Sequence, residues 1–253
     1  MDPGRAGSRR SVSPTAPASA SAAPEVSIVL PVYNEGEAVE PVLRGLAAAV
    51  KTPRELVVVY DFDGDTTVPV IARLAPEIPG LRGLRNDIGR GVLNAMKAGI
   101  AGTTGPYVLI SMADGSDDPA AVDQMVELAK GGADVVSASR YMKGGRQIGG
   151  PPLKRLMSRV AGLTLHWFAR VPTHDPTNNF KLYARRFLES TPIESTAGFE
   201  LALELTVKAT LQKRKIAEIP TTWRDRTAGQ SNFKLRKWLP HYLHWYRVAF
   251  FRR

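Results

Sequence analysis

Between residues 26 and 139 the chain alternates short β-branched apolar runs with segments of helical spacing. The runs are "VSIVLP" (26–31), "ELVVVY" (55–60), the weaker "LRGLRN" (81–86), "YVLISM" (107–112) and "ADVVSAS" (133–139). Between them, 36–50 places Val39, Leu43, Leu46 and Val50 on one helical face, and 67–74, 89–101 and 119–130 also read as helices. Runs apolar at every position are strands buried on both faces, and helical crossovers join such strands in parallel. The pattern predicts an α/β, Rossmann-like domain with a mostly parallel central sheet flanked by helices.

After residue 140 the alternation loosens. A Gly-rich loop (143–152) precedes a helix at 153–169, a strand at 180–184, a helix at 199–212 and a strand at 215–220. Residues 1–24, rich in Ala, Ser, Pro and Gly, read as a disordered tail, 25–232 as the folded domain and 233–253 as a basic, aromatic, amphipathic C-terminal helix.

In open parallel sheets ligands bind beyond the carboxyl ends of the strands. Here the second strand ends in "DFDGD" and the fourth in "ADGSDD", while the fifth ends in the basic "SRY". The chain has no cysteine and four scattered histidines, so carboxylates are its credible metal ligands, and they favour Mg²⁺ or Mn²⁺. Asp118, before Pro119, and Asp65 have the placement of helix caps. Asp114 and Asp117 lie on the turn past a buried strand, where facing carboxylates repel unless a cation intervenes. They are the predicted metal pair, able to neutralise a diphosphate while Arg140 at the next tip grips another anion. Asp61 reads equally as an ordinary turn residue or as an acceptor for a base edge or ribose.

The net charge of +10 is concentrated at one end. From Lys208 onward there are 12 Lys and Arg against Glu218 and Asp225, whereas the remainder balances at 22 of each sign. A basic end seeks phosphate. In the last segment Leu235, Trp238, Leu239, Tyr242, Tyr246, Ala249 and Phe250 fall at helical spacing among Lys and Arg, with Pro240 as a kink or a second start. Such a helix suits a membrane interface; docking on the protein's own sheet is the alternative. No apolar run reaches the ~18–20 residues of a membrane span.

Six motifs, in order from about residue 26 to 235, carry a resemblance: "SIVLPVYNE", "VVVYDFDGDTT", an R-x(3)-GRG-x(3)-A-x(3)-G segment, the acidic tip with "SRY", "DPTNNFKLYAR" and "EIPTTWRDRTAGQSNF". Together they resemble the inverting family 2 nucleotide-sugar glycosyltransferases, most nearly the dolichol-phosphate (polyprenol-phosphate) mannose synthases. The resemblance implies a GT-A fold, a nucleoside diphosphate sugar donor such as GDP-mannose or a UDP-hexose, Mg²⁺ or Mn²⁺, and a polyprenyl phosphate acceptor. It implies a nucleoside pocket at Pro31, Tyr33, Glu35 and Asp61, and further donor contacts at Arg85 and Asp114. For the acceptor phosphate it implies Arg140, Lys154 or Arg155, Ser158 and Arg226.

The chain departs from the family at the metal motif. "MADGSDDP" stands for M-D-A-D-L-[SQ]-H-P, so the family aspartates fall on Ala113 and Gly115, Asp117 takes the third polar position, and a one-residue shift puts Asp114 in place of the second Asp. Tyr60 replaces an aspartate of the second motif, and Asn232 stands where the family has Lys. The expected catalytic set is Asp114, Asp117 and Arg140, in a cytoplasmic protein held peripherally to the membrane by its C-terminal helix, without nucleic acid. Three alternatives remain: transfer to a hydroxyl, for which Asp175 is the available base although its placement before Pro176 reads first as an Asx turn; nucleotidyl transfer, disfavoured by the acidic "PVYNEGEAVE"; and a non-catalytic binder of nucleic acid or anionic membrane, which leaves the acidic tips unexplained.

Overall fold

The computed structural model describes residues 23–225 and 235–251. Its strands are β1 (Val26–Pro31), β2 (Arg54–Tyr60), β3 (Leu81–Arg85), β4 (Tyr107–Ile110), β5 (Val135–Ser139), β6 (Arg146–Ile148), β7 (Lys181–Ala184), β8 (Ile216–Pro220) and β9 (Thr222–Arg224). The helices are α1 (Val39–Ala49), α2 (Val68–Leu74), α3 (Val92–Ala101), α4 (Val122–Lys130), α5 (Pro152–Trp167), α6 (Arg185–Ser190), α7 (Leu201–Leu211) and α8 (Leu235–Phe251). The tail assigned to 1–24 lies, apart from Ala23 and Pro24, outside the described residues.

Seven strands form one sheet in the order β3-β2-β1-β4-β7-β5-β8. All neighbours are parallel except β7, which pairs antiparallel with both β4 and β5. The two-residue period sorts the strand side chains onto two faces. Ile28, Leu30, Leu56 and Val58 pack against α1, α2 and α4, whereas Val29, Val57, Val59 and Val108 pack against α3, α6 and α7. The core therefore lies on both sides of the sheet, as the unbroken apolar runs require.

Three elements were not legible in the pattern. The short α6 continues straight out of β7, and β6 and β9 form a two-stranded parallel pair over the Gly-rich loop. Each has only three to six residues, too few for a period to show.

The C-terminal helix corrects an expectation. α8 runs through Pro240 as a single helix; Trp238, Trp245, Val248 and Ala249 face inward, while Leu243 and Phe251 are exposed. Trp245, Val248 and Ala249 are buried against Leu203 and Val207 of α7 and Leu165 of α5, with Tyr242, Tyr246 and Phe250 packed around them. Tyr242 donates to the Phe199 carbonyl at 2.8 Å and Tyr246 to Thr164 Oγ1 at 3.0 Å. The reason lies in α7, which is buried from Leu201 to Val207 without interruption. A helix buried on all sides needs cover on its outer side as well as from the sheet, and α8 supplies it. The face assigned to a membrane is thus already occupied by protein. Among the described residues no helix is long and apolar enough to cross a membrane.

α5 has the opposite character. Leu153, Leu156, Val160, Trp167 and Phe168, at the end of the helix, are all more than half exposed. They lie on or beside a helix that also carries Lys154, Arg155 and Arg159.

Candidate active site

The carboxyl ends of the parallel strands converge on one edge of the sheet, and the sequence determines what each tip presents. At the first tip, Pro31 is buried in register with Val59, so it shapes β1 from within rather than lining a pocket. Tyr33 beyond it is 58% exposed, its ring edge-on to Phe62 at 6.0 Å. The Arg90 guanidinium lies 5.6 Å from the Phe62 ring centroid. The backbone N–H of Glu35 donates to Thr67 Oγ1 at 3.1 Å. Asp65, buried, accepts from the N–H groups of Asn34 (2.9 Å) and Thr67 (2.8 Å). It therefore ties the first tip to the turn before α2, whereas the N-cap position of α2 is taken by Thr67 and not by Asp65 as expected.

At the second tip, Asp61 accepts from Asn86 Nδ2 at 2.7 Å and from the Gly91 N–H at 2.8 Å. Each carboxylate oxygen retains a second acceptor site. The side chain is thus fixed in place and remains able to take a donor from a ligand. Arg85 sits between the exposed carboxylates of Asp63 and Asp87 at 3.5 and 3.7 Å.

The fourth tip holds the acidic pair. Asp117 accepts from Ser111 Oγ at 3.3 Å and the Met112 N–H at 3.2 Å, while Asp114 accepts from the N–H and hydroxyl of Ser116. Burial and the neighbouring charge of Asp114 push the Asp117 carboxyl up to about 7. Burial is the larger of the two causes, and a cation beside the pair would favour the charged form. Asp118 accepts from the Ala120 N–H at 3.1 Å and caps the following turn, as its position before Pro119 predicts. Among the described residues no group of three or more His, Cys, Asp or Glu could hold a metal. The pair fits a Mg²⁺ or Mn²⁺ that draws its remaining ligands from water and substrate phosphate, the usual arrangement for these ions.

Because β7 runs antiparallel between β4 and β5, the turn that leads into it reaches the same edge of the sheet as the acidic tip and Arg140. That turn carries Asp175, fully buried, which accepts three hydrogen bonds from Arg140: Nε at 2.7 Å, Nη2 at 2.8 Å and the backbone N–H at 3.0 Å. Burial alone would raise the Asp175 carboxyl, but Arg140 overrides it and holds the group below the usual carboxylate range. Burial likewise opposes the Arg140 charge, and Asp175 more than offsets it. Arg140 Nη2 also donates to Ser158 Oγ of α5 at 3.2 Å, and Ser158 meets Thr177 Oγ1 at 2.8 Å. Lys154 lies one turn before Ser158, and Arg155 is exposed beside it. Arg226 lies outside the described residues.

The structure thus brings Asp114, Asp117, Arg140 and Ser158 to one region, with Asp61, Tyr33 and Glu35 further along the same edge. Arg85 is remote: β3 and β5 are five strand spacings apart, roughly 24 Å. Asp175 is no free base, since both its oxygens are engaged by Arg140; it orients that cation.

A model of the family described as "Glycosyl transferase family 2" matches residues 27–191. The chain belongs to this family. That span runs from the first strand through the acidic tip and Arg140 to the end of α6. A dolichol-phosphate mannosyltransferase of Pyrococcus furiosus is 26% identical over 229 residues, covering 88% of this chain and 63% of that protein. A polyprenol monophosphomannose synthase of Mycolicibacterium smegmatis is 26% identical over 229 residues, covering 83% and 85%. This glycosyltransferase therefore spans less than two thirds of the Pyrococcus relative. Among solved structures, glucosyl-3-phosphoglycerate synthase from Mycobacterium tuberculosis with Mn²⁺, UDP and glucosyl-3-phosphoglycerate superposes with a TM-score of 0.62 at 20% identity, covering 89% of this chain and 77% of that one. That likeness establishes the shared GT-A-like fold.

Sequence reasoning on this glycosyltransferase missed Asn86, which fixes Asp61, and Lys181, fully buried in β7. Lys181 Nζ donates to the carbonyls of Asp175 (2.8 Å) and Asn178 (2.5 Å), and burial pulls its pKa down to about 7. A lysine inside the apolar run "FKLYA" was the available signal.

Proposed function

We propose that this enzyme transfers a hexose, with inversion, from a nucleoside diphosphate sugar to a polyprenyl phosphate at a membrane surface. The observation that carries the reading is the placement of a carboxylate pair and an oriented, largely buried arginine on strand tips separated only by β7. One suits a metal-bound diphosphate and the other a second phosphate. GDP-mannose and UDP-hexoses both fit a donor pocket in which Asp61 accepts an N–H from the base and Tyr33 and Phe62 offer ring surface.

Asp114 and Asp117 would hold Mg²⁺ or Mn²⁺, which when bound neutralises charge on the departing diphosphate. A lipid phosphate is anionic at neutral pH and needs no general base, in keeping with the engagement of Asp175 by Arg140. Arg140 and Ser158, with Lys154, Arg155 and Arg226, would hold that phosphate in line with the anomeric carbon. An acceptor oxygen bonds to that carbon as the bond to the diphosphate breaks, and the electron pair leaves with the diphosphate. The protein's contribution is orientation and fixed charge.

The membrane contact expected of α8 falls instead to α5. Its exposed Leu153, Leu156 and Val160, with Trp167 and Phe168 at its end, lie beside Lys154, Arg155 and Arg159, the combination that suits an anionic interface. Ser158 on the same helix would then meet the acceptor phosphate as a lipid headgroup arrives.

Incubation with Mn²⁺ and a panel of nucleotide sugars, with and without polyprenyl phosphate, tests the proposal. Sugar transfer that depends on the lipid phosphate is expected. Transfer that ignores it, or the absence of any donor-induced thermal shift, overturns the reading.

A further inference from the structure

Arg140 takes its orientation from Asp175, which raises the question of what fixes Asp175. A buried carboxylate–guanidinium pair loses hydration on both sides, so its geometry must be imposed by its surroundings. The Asp175 N–H donates to Thr173 Oγ1 at 3.1 Å. The two residues before Asp175 are gathered by a single side chain, Glu218 of β8. Its Oε1 accepts from Thr173 Oγ1 at 2.7 Å and from the His174 N–H at 2.6 Å, and its Oε2 lies 2.7 Å from His174 Nδ1. Three donors from two consecutive residues converge on one carboxylate. Glu218 stands opposite Ser137 in the β5–β8 register, so it belongs to the strand pair that delivers Arg140.

The same turn is pinned from α5. The His174 ring stacks on His166 at 3.9 Å, and His166 Nδ1 lies 2.9 Å from the Val171 carbonyl. Gly162 permits this close approach, because a Cβ there would lie 2.2 Å from the His174 carbonyl oxygen. The two imidazoles, each with Nδ1 against an acceptor, carry their proton on that nitrogen.

We infer that Glu218 is a positioning residue for the acceptor-phosphate grip, acting through His174 and the 173–175 turn on Asp175 and hence on Arg140. The inference rests on the reading of Arg140 as the acceptor contact. Glu218 itself lies below the strand tip, in the middle of β8. Its carboxylate holds the turn that aims the arginine, so its loss appears as weaker acceptor binding rather than weaker donor binding.

The test compares acceptor KM, from polyprenyl phosphate titration at saturating donor, with donor Kd from calorimetry, in the full chain. Glu218→Gln retains a carbonyl oxygen for Thr173 and the His174 N–H but turns an amide N–H₂ toward His174 Nδ1. Acceptor KM is expected to rise roughly tenfold, the scale of one hydrogen bond to a charged group, with donor Kd unchanged. His174→Leu should match it, whereas His174→Asn, which restores an N–H near the Nδ1 position, should return KM close to native. Donor Kd and acceptor KM worsening together would reduce Glu218 to a general structural role and overturn the inference. So would an unchanged acceptor KM in Glu218→Gln when Arg140→Lys raises it. If Arg140→Lys leaves acceptor KM untouched, the acceptor reading of Arg140 fails and this inference fails with it.

Discussion

Arg140 and Asp175 form a fork-to-fork pair in which two guanidinium nitrogens and the arginine's own backbone N–H all end on one fully buried carboxylate. The arginine is thereby fixed along two directions at once, and lysine cannot reproduce that geometry.

Arg140→Lys should keep the charge and lose the orientation. Acceptor KM is expected to rise at least about tenfold while the fold survives. Asp175→Asn leaves the arginine charge buried without its partner, and should lower stability by about 3 kcal/mol. Urea unfolding separates the two, since only the second variant should move the midpoint substantially.

Asp117 governs how the metal-free enzyme responds to pH. Its folded pKa of about 7 lies above the ordinary carboxylate value, so between about pH 4 and 7 the folded state binds a proton that the unfolded state has released. This contribution to stability is complete below that window and is lost as pH rises through it. Thermal scans in EDTA should show the decline, and Asp117→Asn should abolish it. With Mn²⁺ present, the metal-induced shift should grow as pH approaches 7, because binding requires the deprotonated carboxylate. A full Mn²⁺ shift in Asp117→Asn would remove Asp117 from the metal pair.

The exposed apolar residues of α5 give a prediction independent of turnover. Leu156→Glu with Val160→Glu should sharply reduce sedimentation with anionic vesicles and change the melting temperature little, since both side chains face solvent. Leu243→Glu, at an exposed position of α8, should leave vesicle binding as it was. Equal loss from both helices would contradict the assignment of the membrane contact to α5.

Gly162→Ala should cost about 1–3 kcal/mol, read from the denaturant midpoint, because the added methyl meets a backbone carbonyl that can move only by separating α5 from the 173–175 turn. The same variant should raise acceptor KM, since Ser158 and Asp175 lie on the two sides of that contact.

The first half of the chain was legible because its strands, β3 excepted, are apolar along most of their length and each crossover is long enough for a helical period. Asp118 was readable as a cap from Pro119 alone, and the acidic tip from its place after "YVLI". What failed was any judgement that depended on neighbours remote in sequence. Asp175 read as a turn residue or a base because Arg140, its partner, lies 35 residues away. The aromatic face of α8 read as a membrane surface because the uninterrupted burial of α7 appears only once the sheet has assembled. Lys181 was not legible because nothing in "FKLYA" shows that β7 is an interior strand, where a lysine is fully buried.

The reversal of β7 also dictates an order of assembly. β3, β2, β1 and β4 are all present once residue 110 has been made, and each finds its sheet neighbour among the others. β5 is synthesised soon after, yet its partners among the described residues are β7 and β8, which arrive much later. Until Lys181–Ala184 slot in, β5 has no place in the sheet, and the tips bearing the carboxylate pair and Arg140 belong to separate pieces of chain. Such long-range pairing is slow to form. Four residues therefore act as the rivet of the cleft, and its two phosphate-facing sides first meet when that rivet is set.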